Sequence, residues 1–213
     1  MKTQTQGDTS QKDALKHFRL SIIDAKLAYT LFKFLYQSRD IEFVGEDLFD
    51  KYFWVQKQHN IFVLIEHNAV SVFIVKILHG FDNDKRALTL KDIDSEAYEE
   101  FINEQKNIKL LAQLKILRDK NIAHHDKTQG HDKKLPPITD IDDFFVRLQN
   151  FYNHLCGKIE NSVTYFKQDD DLKKDIEKML QNLYIGEKNR ILDNDIKWTW
   201  MENPKRISNK GNS

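Results

Sequence analysis

The chain has 213 residues, room for one generous domain or a domain with an appendage. Hydrophobic residues make up 40% and charged residues 31%, a globular balance with a charged surface rather than a disordered or membrane composition. Lys plus Arg equals Asp plus Glu at 33 each, which argues against a general nucleic-acid-coating role but leaves room for a local basic pocket.

The single cysteine, Cys156, excludes an internal disulfide and fits a reducing compartment. The first residues, MKTQTQGDTSQKD, contain no apolar stretch and do not read as a secretory signal. A cytoplasmic protein without a membrane partner is expected.

Residues 1–9 read as a flexible start. A first helix is predicted over about 10–38, because Leu15, Phe18, Ile22, Ala25, Leu27 and Leu31 recur near helical spacing. Gly45 falls in the connection that follows. A second helix is predicted from about Asp47 to His79, with Gly80 as its C-cap. Its middle is rich in β-branched residues, which suit strands. No turn residue interrupts that stretch before Asn68, and helix is the better reading. Glu66, His67, Asn68 and Lys76 break the apolar run from Ile61 to Leu78, so it makes a poor membrane span and a good buried helix.

Residues 81–90 are a connection. Asp94 or Ser95 can cap a third helix running to about Ala123. The stretch HHDKTQGHDKKLPP then reads as a polar loop closed by two prolines. Thr139, with Asp142 three residues on, resembles a capping box opening a fourth helix. Its apolar face carries Phe144, Phe145, Leu148, Phe151, Leu155 and Ile159. Asp169, Asp170 and Asp171 favour the start of a short fifth helix ending at Gly186. Trp198 and Trp200 read as anchors pinning a tail. The expected fold is all-α: an up-and-down bundle of about four long helices. The bundle is expected over residues 10–167, with a short helical extension and tail over 168–213.

One stretch concentrates polar chemistry. At about 100° per residue, Leu110, Leu114 and Leu117 form an apolar stripe on the third helix. With Leu117 at zero, Asn121 falls at roughly +40°, His124 at −20°, His125 at +80° and Arg118 at +100°. The inward stripe thus turns polar, and such groups cost desolvation unless partnered.

The segment RDKNIAH, residues 118–124, resembles the Arg-x(4–6)-His motif of the HEPN superfamily, and the following His125–Asp126 is similar to its abortive-infection variant. The aromatic Tyr52, Phe53 and Trp54, the join LHGFDNDKRALTL over residues 78–90, and the closing helix with Phe144 and Phe145 extend the resemblance over roughly 10–167. It implies a helical bundle that dimerises, so that two Arg/His sets meet across a two-fold axis in one composite site. It also implies a metal-independent ribonuclease, serving as a toxin or phage-defence effector with a possible cognate antitoxin. No cofactor is expected. Where some such toxins carry a tyrosine two residues after the motif histidine, for modification by a nucleotidyltransferase, this chain has Asp126, or Lys127 if His125 is the motif histidine, which speaks against control by such a partner.

The residue types suit that chemistry. RNA brings its own nucleophile, the 2′-OH. A near-neutral histidine can take that proton and a second can protonate the leaving oxygen. An arginine fork matches the charge of the pentavalent phosphate. Arg118 is therefore assigned to transition-state charge and His124 to acid–base work, with Asp119 and Asn121 orienting them and His125 as the reserve histidine.

Two other readings stand. Arg118 and Asp119 could simply finish a helix, with His124 as a bonded core histidine, leaving an inactive HEPN module that binds nucleotide, RNA or a protein. Alternatively His124, His125, Asp126, His131 and Asp132, with His79 and Asp143, could serve an HD-type metal-dependent phosphohydrolase. His17, His59, His67, His79 and His154 otherwise read as structural or surface residues.

Overall fold

The computed structural model describes residues 4–81, 90–119, 135–164 and 169–192. Among these residues every regular element is a helix. In chain order they are α1 (Gln4–Gln37), α2 (Ile41–Val44), α3 (Glu46–Gln58), α4 (Ile61–His79), α5 (Leu90–Ile93), α6 (Ser95–Asn103), α7 (Gln105–Leu117), α8 (Ile138–Glu160) and α9 (Asp169–Leu192). The predicted all-α architecture is observed, with α1, α4, α8 and α9 as its long members.

The boundaries differ from expectation where tertiary packing outweighs local signals. The single helix expected over 47–79 is two, broken at His59, whose backbone is extended at φ −121° and ψ 103°. The break lets α3 pack on α9 while α4 runs along α1. Gly45, before α3, sits at φ 78°, a conformation that favours glycine.

The expected third helix is also divided. Asp94 caps α6 as anticipated, its side chain accepting from the Ala97 N–H. Glu104 is extended at φ −60° and ψ 124° and separates α6 from α7. The fully buried Asn107 stitches this break: its amide nitrogen donates to Phe101 O at 2.8 Å and to Glu104 Oε2 at 3.2 Å. Its carbonyl accepts from Arg147 Nε on α8 at 2.8 Å.

Thr139 is not a cap: α8 begins at Ile138 behind an extended Pro137, which makes no side-chain capping bond. Asp142 instead accepts from Tyr29 and Lys33 on α1. Gly186 does not end α9, which continues to Leu192; one glycine costs a helix only about 1 kcal/mol.

The main core is aromatic. Phe81 meets Phe18 edge-on and lies against Tyr98 and Phe101, and Phe101 stacks on Phe151 with centroids 4.6 Å apart. Tyr29, Phe73 and Phe145 form a second aromatic group between α1, α4 and α8. A smaller core joins Phe34 and Leu35 of α1, Tyr52 and Val55 of α3, Phe62 of α4, and Ile176 and Leu180 of α9.

Among the described residues α4 is the one helix long and apolar enough to cross a membrane by length and composition. Its Phe62, Ala69, Phe73, Ile74, Ile77 and Leu78 are buried within the protein. Glu66 and Lys76, its two acidic or basic residues apart from histidine, pair with Arg39 and Asp24 of α1.

Gly80 closes α4 in ordinary right-handed geometry at φ −74°, so its requirement is space rather than backbone freedom. A Cβ there would overlap the buried Phe18 ring. Gly80→Ala is expected to cost about 1–3 kcal/mol through forced repacking, read as a lower urea midpoint at unchanged m-value.

The Asp94 carboxyl is held below the usual range, first by the Lys158 ammonium at 2.6 Å and then by the Ala97 N–H. A lowered folded pKa gives stability that is present above the unfolded value of about 3.9 and lost as pH falls through the folded value. Asp94→Ala is expected to cost about 1 kcal/mol at pH 7. That deficit should shrink as pH drops below the carboxylate range, measured by urea unfolding across pH.

Candidate functional site

The site predicted from sequence centres on the end of α7. Leu110, Leu111, Leu114 and Leu117 bury one side of this helix in the main core. That packing fixes where its C-terminus emerges. The α-helix ends at Leu117; the Arg118 N–H still makes the ordinary helical bond to Leu114 O, shared with Lys115 O, and residues 118–119 then widen into a looser turn. The even angular spacing assumed through this region therefore does not hold at 118–119.

Arg118 is about a quarter exposed, and its Nε donates to Asp119 Oδ1 at 2.9 Å. This contact holds one edge of the guanidinium against its neighbour's carboxylate. The structure thus brings together Arg118 and Asp119. Asn121, His124 and His125 lie outside the described residues, as do Asp126, His131 and Asp132 of the metal reading and the two tail tryptophans.

Asp143, also considered for a metal, lies beside Lys106, Lys109 and Arg147 in a recess of about 250 Å³ between α7 and α8. With Asp140 the recess holds two carboxylates among three cations, a balance that favours ion pairing over metal ligation. His79 is exposed at the end of α4. Among the described residues no three His, Cys, Asp or Glu side chains converge to hold a metal. His17, His67 and His154 are also on the surface, and His59 is half-buried, its Nε2 enclosed and 3.8 Å from Glu187. Cys156 is buried, and burial pushes its thiol pKa up, so it is not a ready nucleophile.

Two polar clusters gave no local sequence signal. In the first, Tyr29 shares its hydroxyl proton between Ile138 O and Asp142 Oδ1, each at 3.0 Å, and Lys33 Nζ reaches Asp142 Oδ2 at 2.6 Å. Burial, and then the Asp142 charge, hold the Tyr29 hydroxyl far above the usual phenol range, so it acts as a fixed donor rather than an acid. This cluster lines a recess of about 360 Å³ between α1 and α8, with Lys26 and Lys173 on its edge. The second is the Asn107–Arg147–Glu104 group, which lies between α7 and α8 and so sets the position of the helix that ends at Arg118.

Comparison with family models assigns the class. Residues 77–180 match the HEPN_AbiU2 model, described as AbiU2, and over these residues the chain carries a HEPN-superfamily domain. It is a domain of the abortive-infection type. The matched segment takes in the end of α4, all of α5 to α8 and half of α9, and includes Arg118. Comparison with curated proteins and with solved structures found no match.

Asn107→Ala leaves the Phe101 carbonyl and the Arg147 guanidinium short of a partner in a buried setting. It is expected to cost about 1–3 kcal/mol, measured by chemical denaturation.

Proposed function

We propose that this chain is a metal-independent endoribonuclease of the HEPN type. It would act as a cytoplasmic homodimer in phage defence, or as a toxin restrained by a cognate antitoxin. The observation that supports this best is the position of Arg118: within the family-matched segment, at the end of the helix whose leucine face is locked into the core, and oriented by Asp119.

In this reading the RNA 2′-OH attacks the adjacent phosphorus and the 5′-oxygen leaves, giving a 2′,3′-cyclic phosphate and a 5′-hydroxyl end. His124 of one copy accepts the 2′ proton, and His124 of the second copy donates a proton to the departing oxygen. The Arg118 guanidinium balances the charge that builds on the equatorial phosphate oxygens. Asn121 orients these groups and His125 is the reserve acid–base residue. The paired copy is required because one chain brings one Arg118 and one His124.

The test is RNA cleavage in excess EDTA by wild type, Arg118→Ala and His124→Ala. Wild-type cleavage leaving cyclic phosphate ends is expected, with each variant reduced at least about a hundredfold. Arg118→Ala should stay folded, because partly exposed ion pairs contribute at most about 1 kcal/mol. Three equally inert proteins would replace the nuclease with a non-catalytic binding module. Activity that disappears in EDTA and returns with metal would move the reading to the HD-type phosphohydrolase.

A further inference from the structure

Helix α7 concentrates positive charge in a chain whose net charge is zero. Over Gln105–Leu117 it carries Lys106, Lys109 and Lys115 and no acidic residue. Lys106, Lys109 and Gln113 recur at three- and four-residue spacing, so they share one side of the helix. That side lines the recess of about 250 Å³ between α7 and α8, opposite Asp140, Asp143 and Arg147. Arg147 is fixed there, its Nε donating to Oδ1 of the fully buried Asn107 at 2.8 Å. Both lysines are exposed, and among the described residues neither is held in an ion pair. Three cations less two carboxylates leave the recess one positive charge in surplus.

We propose that this recess holds the sugar–phosphate backbone of the RNA strand next to the scissile phosphate. Lys106 and Lys109 meet its phosphates, and the Gln113 amide donates to a phosphate or ribose oxygen. The inference deepens the ribonuclease reading and rests on it for the substrate. Its position supports it: the recess lies within the family-matched segment, on the helix that ends at Arg118. Gln113 and Lys109 stand five and nine residues before Arg118. That is about 8 and 14 Å along the axis at about 1.5 Å per residue. A strand seated in the recess turns over the end of α7 to reach Arg118.

The lining also decides what is recognised. Among the described residues no aromatic ring lines the recess, so bases have no surface to stack on and the contact is to the backbone. Lysine binds phosphate as a point charge, which tolerates any base sequence. The chain does not bring a matching anion of its own. Residues 1–3, 82–89, 120–134, 165–168 and 193–213 each carry at least as many Lys and Arg as Asp and Glu. An RNA strand supplies one negative charge per nucleotide and complements the surplus. Asp140 and Asp143 temper that hold, so their removal strengthens it.

The test is binding of the full chain to a labelled single strand of about twelve 2′-O-methyl uridines, followed by fluorescence anisotropy across salt. The methyl groups remove the attacking hydroxyl, so the strand is not cut. Lys106→Gln/Lys109→Gln, at exposed positions, should keep wild-type helicity by circular dichroism. Each lost phosphate contact lowers the salt slope by about 0.7, or affinity about fivefold at 0.1 M. The double variant should therefore bind up to about 25-fold more weakly, with a slope lower by about 1.4. Asp140→Asn/Asp143→Asn should bind more tightly than wild type. An adenosine strand should give the same ranking as uridine. With cleavable RNA, the lysine variant should raise KM and leave kcat unchanged. A lysine variant within about twofold of wild type, at the same salt slope, would overturn the subsite and leave the ribonuclease standing. Weaker binding by Asp140→Asn/Asp143→Asn would also overturn it, because the recess would then be an ion-pair cluster that holds the helices. Lysine-dependent binding by a protein that cuts no RNA would do the reverse, keeping the subsite and removing the nuclease.

Discussion

The packing of α4 along α1 is the constraint on which the other contacts depend. The inner face of α4 brings six apolar side chains into the protein, and non-directional burial alone would let a smooth aliphatic helix rotate or slide. Three specific contacts prevent this. Glu66 meets Arg39 near one end, Lys76 meets Asp24 at 2.7 Å further along, and Gly80 closes on the Phe18 ring. The Glu66 carboxyl shows what that restraint costs: burial raises its pKa and Arg39 opposes the shift. Removing Arg39 would leave a half-buried charge uncompensated, a more serious fault than losing a surface pair. The group continues inward, since Arg39 Nε donates to Gln56 and Gln56 donates to Ser38 at 2.7 Å. One polar chain thus ties α1, α3 and α4 at the point where α3 and α4 part.

From that frame α8 distributes the remaining order. Asp142 and Phe145 turn toward α1. Arg147 turns toward α7 and the break before it. Phe144 and Phe151 fill the space between, against Phe81 and Phe101. The end of α7 is therefore positioned at second hand. Its leucines set its depth, and Asn107 sets its direction by joining the end of α6 to α8. Arg118 needs such support, because a charged group meant for a reacting phosphate is useful only when its geometry is settled beforehand.

Local pattern was enough to read the helices themselves. The 3.6-residue recurrence of Leu15, Phe18 and Ile22, or of Phe144, Leu148, Phe151 and Leu155, needs no partner to be seen, and all of these are buried. The Asp94 cap is equally local. The breaks at His59 and Glu104 were hidden because neither carries glycine or proline. The contacts beside them meet only in three dimensions: Asn107 and Arg147 at the Glu104 break are 40 positions apart, and Arg39 and Gln56 near the His59 break are 17 apart. The same division runs through the site. Arg118 and Asp119 are adjacent, so their pairing could be read from a short motif. The helical wheel was extended through a turn where the winding widens, and angular reasoning carried past Leu117 lost its basis there.

The smaller core has a consequence for the order in which the molecule assembles. Phe34, Leu35, Tyr52, Val55 and Phe62 all lie in the first third of the chain, yet the Ile176 and Leu180 that cover them come more than a hundred residues later. During synthesis the aromatic main core can close once α8 has left the ribosome. The patch around Tyr52 must wait for α9, and until then it exposes apolar surface of the kind that folding chains bury late and chaperones bind. The last long helix therefore works as a latch whose closure reports that the chain before it is complete.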